Sequence, residues 1–315
     1  MVANLIQAGM EAVENKLRSV VDSDIQLLTD ASRHIIASGG KRLRPQIALL
    51  SYLAAGGEEW HEVISLASAI EMVHTATLVH DDINDHSLTR RGQITVHARW
   101  GRTFALLTGD YLFTKVYEMM ASYGPPYNEI MAEACIRLVE GETLQAAAAK
   151  SGQMDRETYK TIISRKTASL FDAAARMGAM LAGANDTVIE ALALYAHNLG
   201  LAFQMIDDIL DVIGDPDKLG KPVGLDIAQH RGITAVQNGS SGSASEGVVV
   251  AEEEAPEDPI AQLMARLRES GAMELARLQA LEIAERARAA LINVPESPAR
   301  QALVELVDSV VNRDK

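Results

Sequence analysis

Two acidic segments of the same design stand out in this sequence: Asp81-Asp82-Ile83-Asn84-Asp85 and Asp207-Asp208-Ile209-Leu210-Asp211. Each sits in an otherwise apolar stretch with helical spacing. Aspartate is a poor interior helix residue, and a carboxylate buried without a counter-charge is costly. Positions i and i+4 share a helix face. Asp81 therefore projects with Asp85, and Asp207 with Asp211, while Asp82 and Asp208 are rotated aside by about a quarter turn. Mg2+ takes oxygen ligands, one or two carboxylates at a time, and leaves the rest of its shell to water and phosphate. Alone, either motif reads as a solvated acidic patch. Two of them in apolar helices predict cations holding a diphosphate between facing carboxylate pairs. His74 lies on the acid face of the first helix, and Gln204 and Gly200 on that of the second. Gly200 is expected to leave open space beside the site.

Bases accompany the acids. Gly39-Gly40-Lys41-Arg42-Leu43-Arg44-Pro45 joins two flexible residues to three cations and a helix-starting proline. Its bases can hold a phosphate, arginine bidentately; the plainer reading is a helix-start turn with solvated bases. Arg90-Arg91-Gly92 follows the first acidic motif, Lys166-Thr167 lies mid-helix, and Lys221 follows the second motif. Acid clusters next to base pairs suit two anionic groups, one held by metals and one by bases. His74, His80 and His86 are six residues apart, not the four of a helical zinc pair. His74 reads either as a phosphate donor or as a satisfied core histidine.

The elements that must position these groups are helices. Apolar residues recur at threes and fours through 62–83, 102–122, 127–149, 155–183 and 186–213. Asp155 caps one helix, and Asp258-Pro259 and Ser297-Pro298 open others over about 261–292 and 299–312. No alternating strand pattern of useful length appears, so the fold class is all-α. Gln237 to Gly247, followed by Glu252-Glu253-Glu254, reads as a flexible insertion over 237–257 within one domain spanning 1–315. The residues beyond it are too few for an independent core.

Composition narrows the function. Apolar residues make up 48% and aromatics only 4%, which suits close helix packing. A net charge of −14 argues against nucleic acid as a partner. The single cysteine, Cys135, precludes an internal disulfide and fits a cytoplasmic protein. No signal peptide or membrane span is expected.

Together these stretches resemble the all-trans polyprenyl diphosphate synthases. The likeness rests on GGKRLRP at 39–45, EMVHTATLVHDDIND at 71–85, Arg90-Arg91-Gly92, Gly109-Asp110-Tyr111, Gly141-Glu142 with Gln145, Lys166-Thr167, FQMIDDILD at 203–211 and Gly220-Lys221-Pro222. The resemblance implies a single large helical bundle around a central cavity. It implies that Asp81 and Asp85 bind two Mg2+ ions and that Asp207 with Asp211 holds a third. Arg90, Lys166 and Lys221 would hold an allylic diphosphate. Lys41, Arg44, His74 and Arg91 would hold isopentenyl diphosphate, and Thr167 and Gln204 would lie beside the reacting carbons. A homodimer is implied, with peripheral membrane contact only through the lipid product.

In such enzymes a bulky residue four or five positions before the first aspartate shortens the product. Here Thr77 and Ala76 stand there, so a product beyond twenty carbons is expected. Val73, Tyr117 and Met120 are candidates for a deeper floor. One stretch departs from the pattern. Asp226-Ile227-Ala228-Gln229-His230-Arg231-Gly232-Ile233-Thr234-Ala235 displaces the usual threonine and lacks the proline, which leaves Arg231 unassigned. Rival readings are a terpene cyclase, which needs no second diphosphate site, and a non-catalytic subunit of a heteromeric synthase, which would lose acidic residues.

Overall fold

Helix α4 (Ile64–Asn84) is apolar on every side, which is the pattern of a helix surrounded by others. With the preceding 3-10 turn it is long and apolar enough to cross a membrane, yet 72% of that window is buried inside the fold. The computed structural model describes residues 2–213 and 271–313. Lys221, Arg231, the 237–257 insertion and the start of the helix expected from 261 lie outside the described residues.

Before α4 come α1 (Val2–Val20), α2 (Gln26–Ala37) and α3 (Leu43–Ala54). After it come α5 (Val96–Trp100), α6 (Arg102–Met120), α7 (Pro125–Ser151), α8 (Arg156–Ile163), α9 (Ser169–Leu181) and α10 (Asp186–Ile213). Beyond the undescribed stretch lie α11 (Ala272–Ala290) and α12 (Pro298–Val311). Their ends follow local chemistry. Pro125 and Pro126 fill the first turn of α7, where no backbone donor is needed. The Asp155 carboxylate accepts from the Thr158 N–H at 2.7 Å, and the Ser297 hydroxyl from Arg300 at 3.1 Å, capping α8 and α12.

The stretch 155–183 is not one helix. Between α8 and α9, residues Ser164–Ala168 form a π-helical turn. Its extra residue shifts the faces presented on either side, as π turns do at functional sites. Two glycines let neighbouring helices press on it. A Cβ at Gly141 of α7 would stand 2.6 Å from the Lys166 nitrogen, and one at Gly200 of α10 would stand 2.8 Å from the Ala168 Cα. Gly200 thus admits a close helix contact; the open space expected beside it is filled by Ala168.

Within the bundle α4 packs against α6, α3 and α1, while α9 lies between α3 and α10. Fully buried Leu66, Ile70, Met72 and Phe171 belong to the main core. Tyr195 donates to the Leu303 carbonyl at 2.7 Å and ties α10 to α12. A second apolar cluster, including Met154, Tyr159, Ile162, Ile206, Ile209 and Met273, joins α8, α10 and α11. The one departure from helix among the described residues is a two-stranded hairpin, β1 (Thr89–Arg90) with β2 (Gln93–Ile94). Its turn residues Arg91 and Gly92 both have positive φ, 51° and 74°, as a tight two-residue hairpin turn requires.

A carboxylate-lined cavity as candidate active site

Both acidic motifs occupy the C-terminal turns of their helices, α4 and α10. Helix C-termini carry partial negative charge, so backbone and carboxylates add up to a field that attracts cations. Asp81, Asp85, Asp207, Asp208 and Asp211 line one cavity of about 620 Å³, a volume within the range of ligand sites. From α4 the cavity is lined by Glu71, His74, Thr77, Leu78 and Asp81, with Asp85 just past the helix end, a stripe with helical spacing.

Asp82 turns aside, as its position on the helix requires. It is 1% exposed and accepts from Arg90 Nε at 2.7 Å, which anchors the hairpin to α4. On α10, Asp208 also reaches the cavity. It accepts from Tyr159 Oη at 2.7 Å and from Gln204 Nε2 at 2.9 Å. Asp207 pairs with Arg313 Nη2 at 2.7 Å. Arg313 also donates to the Phe203 carbonyl at 2.6 Å and lies 4.1 Å from the Phe203 ring centre.

Burial pushes the Asp81 carboxyl up to about 6; Lys166 opposes the shift, while Glu142 and Asp85 add to it. Crowded, half-desolvated carboxylates at two helix C-termini fit a divalent cation, which would favour their charged form. Among the described residues, no three His, Cys, Asp or Glu side chains converge closely enough to hold a metal alone.

Basic side chains line the same cavity: Lys41, Arg42, Arg44, Arg90 and Arg91, with His74 of α4 beside them. Burial pushes Arg44 down to about 10, so it keeps its charge at neutral pH, and it lies 4.9 Å from the Phe171 ring centre. His74 is held well below the usual imidazole range, first by burial and then by Arg44, Arg91 and Arg90. It is therefore neutral, with one ring nitrogen able to donate. Arg91 bonds the Gly39 carbonyl and so closes the glycine loop onto the hairpin. Lys41 sits 5.6 Å from the Phe203 ring centre.

The expectation that all three bases of the Lys41–Arg44 loop serve a phosphate is corrected at Arg42. Its guanidinium is committed to Glu14 at 2.5 Å, Glu71 at 2.8 Å and the Ile36 carbonyl at 2.9 Å. Arg42 is left-handed at φ 48° and borders the same cavity, but its guanidinium is taken by these partners. From the π turn, Lys166 Nζ meets Glu142 at 2.6 Å, Gln145 Oε1 at 2.9 Å and Asp81 at 3.9 Å. Thr167 donates to Gln204 Oε1 at 2.9 Å.

Of the chain-length candidates, Thr77 reaches the cavity wall. Ala76 and Val73 are fully buried in the main core, and Met120 is 2% exposed there. Tyr117 is not brought to the cavity: it is 75% exposed, on the outer face of α6. Arg313 and Tyr159 carry no local sequence signal; only the tertiary fold brings them to Asp207 and Asp208.

The sequence profile of the polyprenyl synthetase family matches residues 25–247. Over 319 residues the chain is 35% identical to the octaprenyl diphosphate synthase of Escherichia coli (strain K12), covering 100% of this chain and 98% of that protein. It is 36% identical over 324 residues to a short chain isoprenyl diphosphate synthase of Methanothermobacter thermautotrophicus, covering 99% of each. The polyprenyl synthase of Caulobacter crescentus CB15, solved in complex with calcium and isoprenyl diphosphate, matches with a TM-score of 0.89 at 33% identity, over 99% of this chain and 97% of that one.

Proposed function

Since this chain belongs to the polyprenyl synthetase family, the all-trans isoprenyl diphosphate synthases, we propose that its cavity condenses isopentenyl diphosphate with an allylic diphosphate. It is a prenyltransferase that makes polyprenyl diphosphates. The observation that carries the reading is the meeting of both Asp motifs with the Lys41, Arg44 and Arg91 wall around one cavity.

Asp81, Asp85, Asp207 and Asp211 would hold Mg2+, three ions in all, which would supply the positive charge that a departing diphosphate needs. Arg90 and Lys166 orient the allylic diphosphate, joined by Lys221 from outside the described residues. Arg90 is aimed by its Asp82 contact and Lys166 by Glu142 and Gln145. Lys41, Arg44, Arg91 and neutral His74 hold isopentenyl diphosphate. The allylic carbon–oxygen bond breaks, the isopentenyl double bond attacks the resulting carbocation, and a proton leaves to the released diphosphate. Thr167 and Gln204 present oxygen atoms where positive charge develops. The products are diphosphate, a proton and a prenyl diphosphate five carbons longer.

The product is read as longer than twenty carbons, because neither Thr77 nor Ala76 is bulky. Relatives of similar identity include both an octaprenyl and a short chain synthase, so identity alone does not decide. Ala76→Phe is expected to shorten the product; an unchanged length sinks this account of the pocket.

A homodimer is supported by apolar side chains left exposed on α6 and α7, among them Leu107, Tyr117, Ile136 and Val139. Light scattering on the eluted protein tests it. The lone Cys135 supports a cytoplasmic location, which fractionation checks.

Purified protein with Mg2+, farnesyl diphosphate and labelled isopentenyl diphosphate tests the whole reading. Elongated prenols after phosphatase treatment support it. Cyclic hydrocarbon would mark a cyclase, and inactivity without a second chain would mark a partner subunit.

A further inference from the structure

We propose that Tyr159 is a positioning residue: through Asp208 its buried hydroxyl fixes which end of the Gln204 amide faces Thr167 at the reacting carbons. The inference rests on the prenyl-transfer reading above. Tyr159 is 3% exposed and belongs to the second apolar cluster, and its hydroxyl donates to Asp208 Oδ2 at 2.7 Å across from α8 to α10. Asp208 Oδ1 accepts from Gln204 Nε2 at 2.9 Å, and Gln204 Oε1 accepts from Thr167 Oγ1 at 2.9 Å.

The donor and acceptor inventory sets the direction of every link. Tyr159 Oη and the Gln204 amino group both donate to Asp208, one to each carboxylate oxygen. The Gln204 carbonyl must then point the other way and draw the Thr167 proton to itself. Thr167 is left with its oxygen lone pairs for the cavity, the arrangement that favours an allylic cation. An amide free to turn over would place its amino group against Thr167, with positive charge where more is about to form. Tyr159 prevents this by pinning Asp208 Oδ2, which keeps Oδ1 aimed at the Gln204 amino group; a carboxylate released from Tyr159 can rotate away and free the amide. Its bond is short and buried at both ends. The same geometry gives Asp208 a role beside the four aspartates assigned to metal.

The test compares Tyr159→Phe with the unaltered enzyme in Mg2+ and both diphosphates. The expected result is a fall in kcat of about ten- to a hundredfold, the worth of one buried hydrogen bond left unmade. Both KM values and the Mg2+ midpoint should stay within about twofold, since uniform binding is untouched. The variant should also bind a positively charged aza analogue of the allylic diphosphate about tenfold more weakly, and an uncharged thio analogue equally well. Unchanged kcat, or a loss confined to KM, overturns the proposal. Should Tyr159→Phe fail to fold, Asp208→Asn serves instead, because asparagine can offer its own amino group to Gln204 and let the amide turn. Equal binding of both analogues by Asp208→Asn and the unaltered enzyme likewise refutes it. If the unaltered enzyme elongates nothing, the prenyl-transfer reading fails instead, and the two failures are distinguishable.

Discussion

Asp81→Asn should stabilise the metal-free protein while weakening its response to Mg2+. Asp81 has a carboxyl raised from 3.8 to about 6, chiefly by burial and further by Glu142 and Asp85. Its side chain is 18% exposed, so solvent screens the effect little. At 1.36 kcal/mol per pKa unit, that shift corresponds to about 3 kcal/mol that the folded state forgoes by keeping Asp81 charged. An acid raised in the folded state makes that state bind more protons than the unfolded chain between the two pKa values, so stability falls as pH rises through this window. The cost is complete above about pH 6, about half as large near pH 5, and nearly gone by pH 4. Asparagine has no charge to desolvate, and Lys166 keeps Glu142 at 2.6 Å and Gln145 at 2.9 Å, so the substitution strands no cation. For a chain of 315 residues the unfolding entropy is about 0.7 kcal/mol/K, so the gain is about 4 °C in Tm. Thermal unfolding in EDTA at about pH 8, 5 and 4 reads it directly. The gain should shrink toward acid, and added Mg2+ should raise the Tm of the unaltered protein more than that of the variant. A variant melting at or below the unaltered protein at about pH 8, or a gain that persists undiminished at about pH 4, refutes the reasoning.

Other substitutions probe the frame around the site. Gly141→Ala places a Cβ 2.6 Å from the Lys166 backbone nitrogen; it should cost about 1–3 kcal/mol and lower kcat more than the far-off Gly56→Ala, as paired melting and kinetics would show. Arg42→Met strands the buried Glu71 carboxylate, and about 3–5 kcal/mol should be lost in urea unfolding; restoration by adding Glu71→Gln would identify the stranded charge as the cause. Arg313→Ala releases Asp207, and calorimetry without substrate should find Mg2+ bound severalfold more tightly; weaker binding would count against Asp207 as a ligand.

The helices were legible because apolar spacing is a local property. Capping at Asp155 and Ser297 and the carboxylate face of α4 could be read from neighbours three or four residues away. The π turn could not, since one extra residue leaves the apolar rhythm of 155–183 intact. Gly200 was misread as space because a missing side chain looks the same whether solvent or a helix fills its place. Arg42 borders the cavity with the bases on either side of it, but Glu14 and Glu71, 28 and 29 residues away, hold its guanidinium, a pairing no local pattern announces. Arg313 lies 106 residues from Asp207, and a contact of that range leaves no pattern to read. Ala76 shows the converse: its helix phase points it into the core, as the structure finds, so its link to product length rests on family likeness and not on position along α4.

The π turn at Ser164–Ala168 also bears on how such a chain can change over time. Losing a single residue there would restore an ordinary helix and swing one flank about 100° around the axis relative to the other. Lys166 and Thr167 would then be carried off their targets by a deletion that leaves every remaining letter intact. Such a segment should accept exchanges of residue far more readily than changes of length.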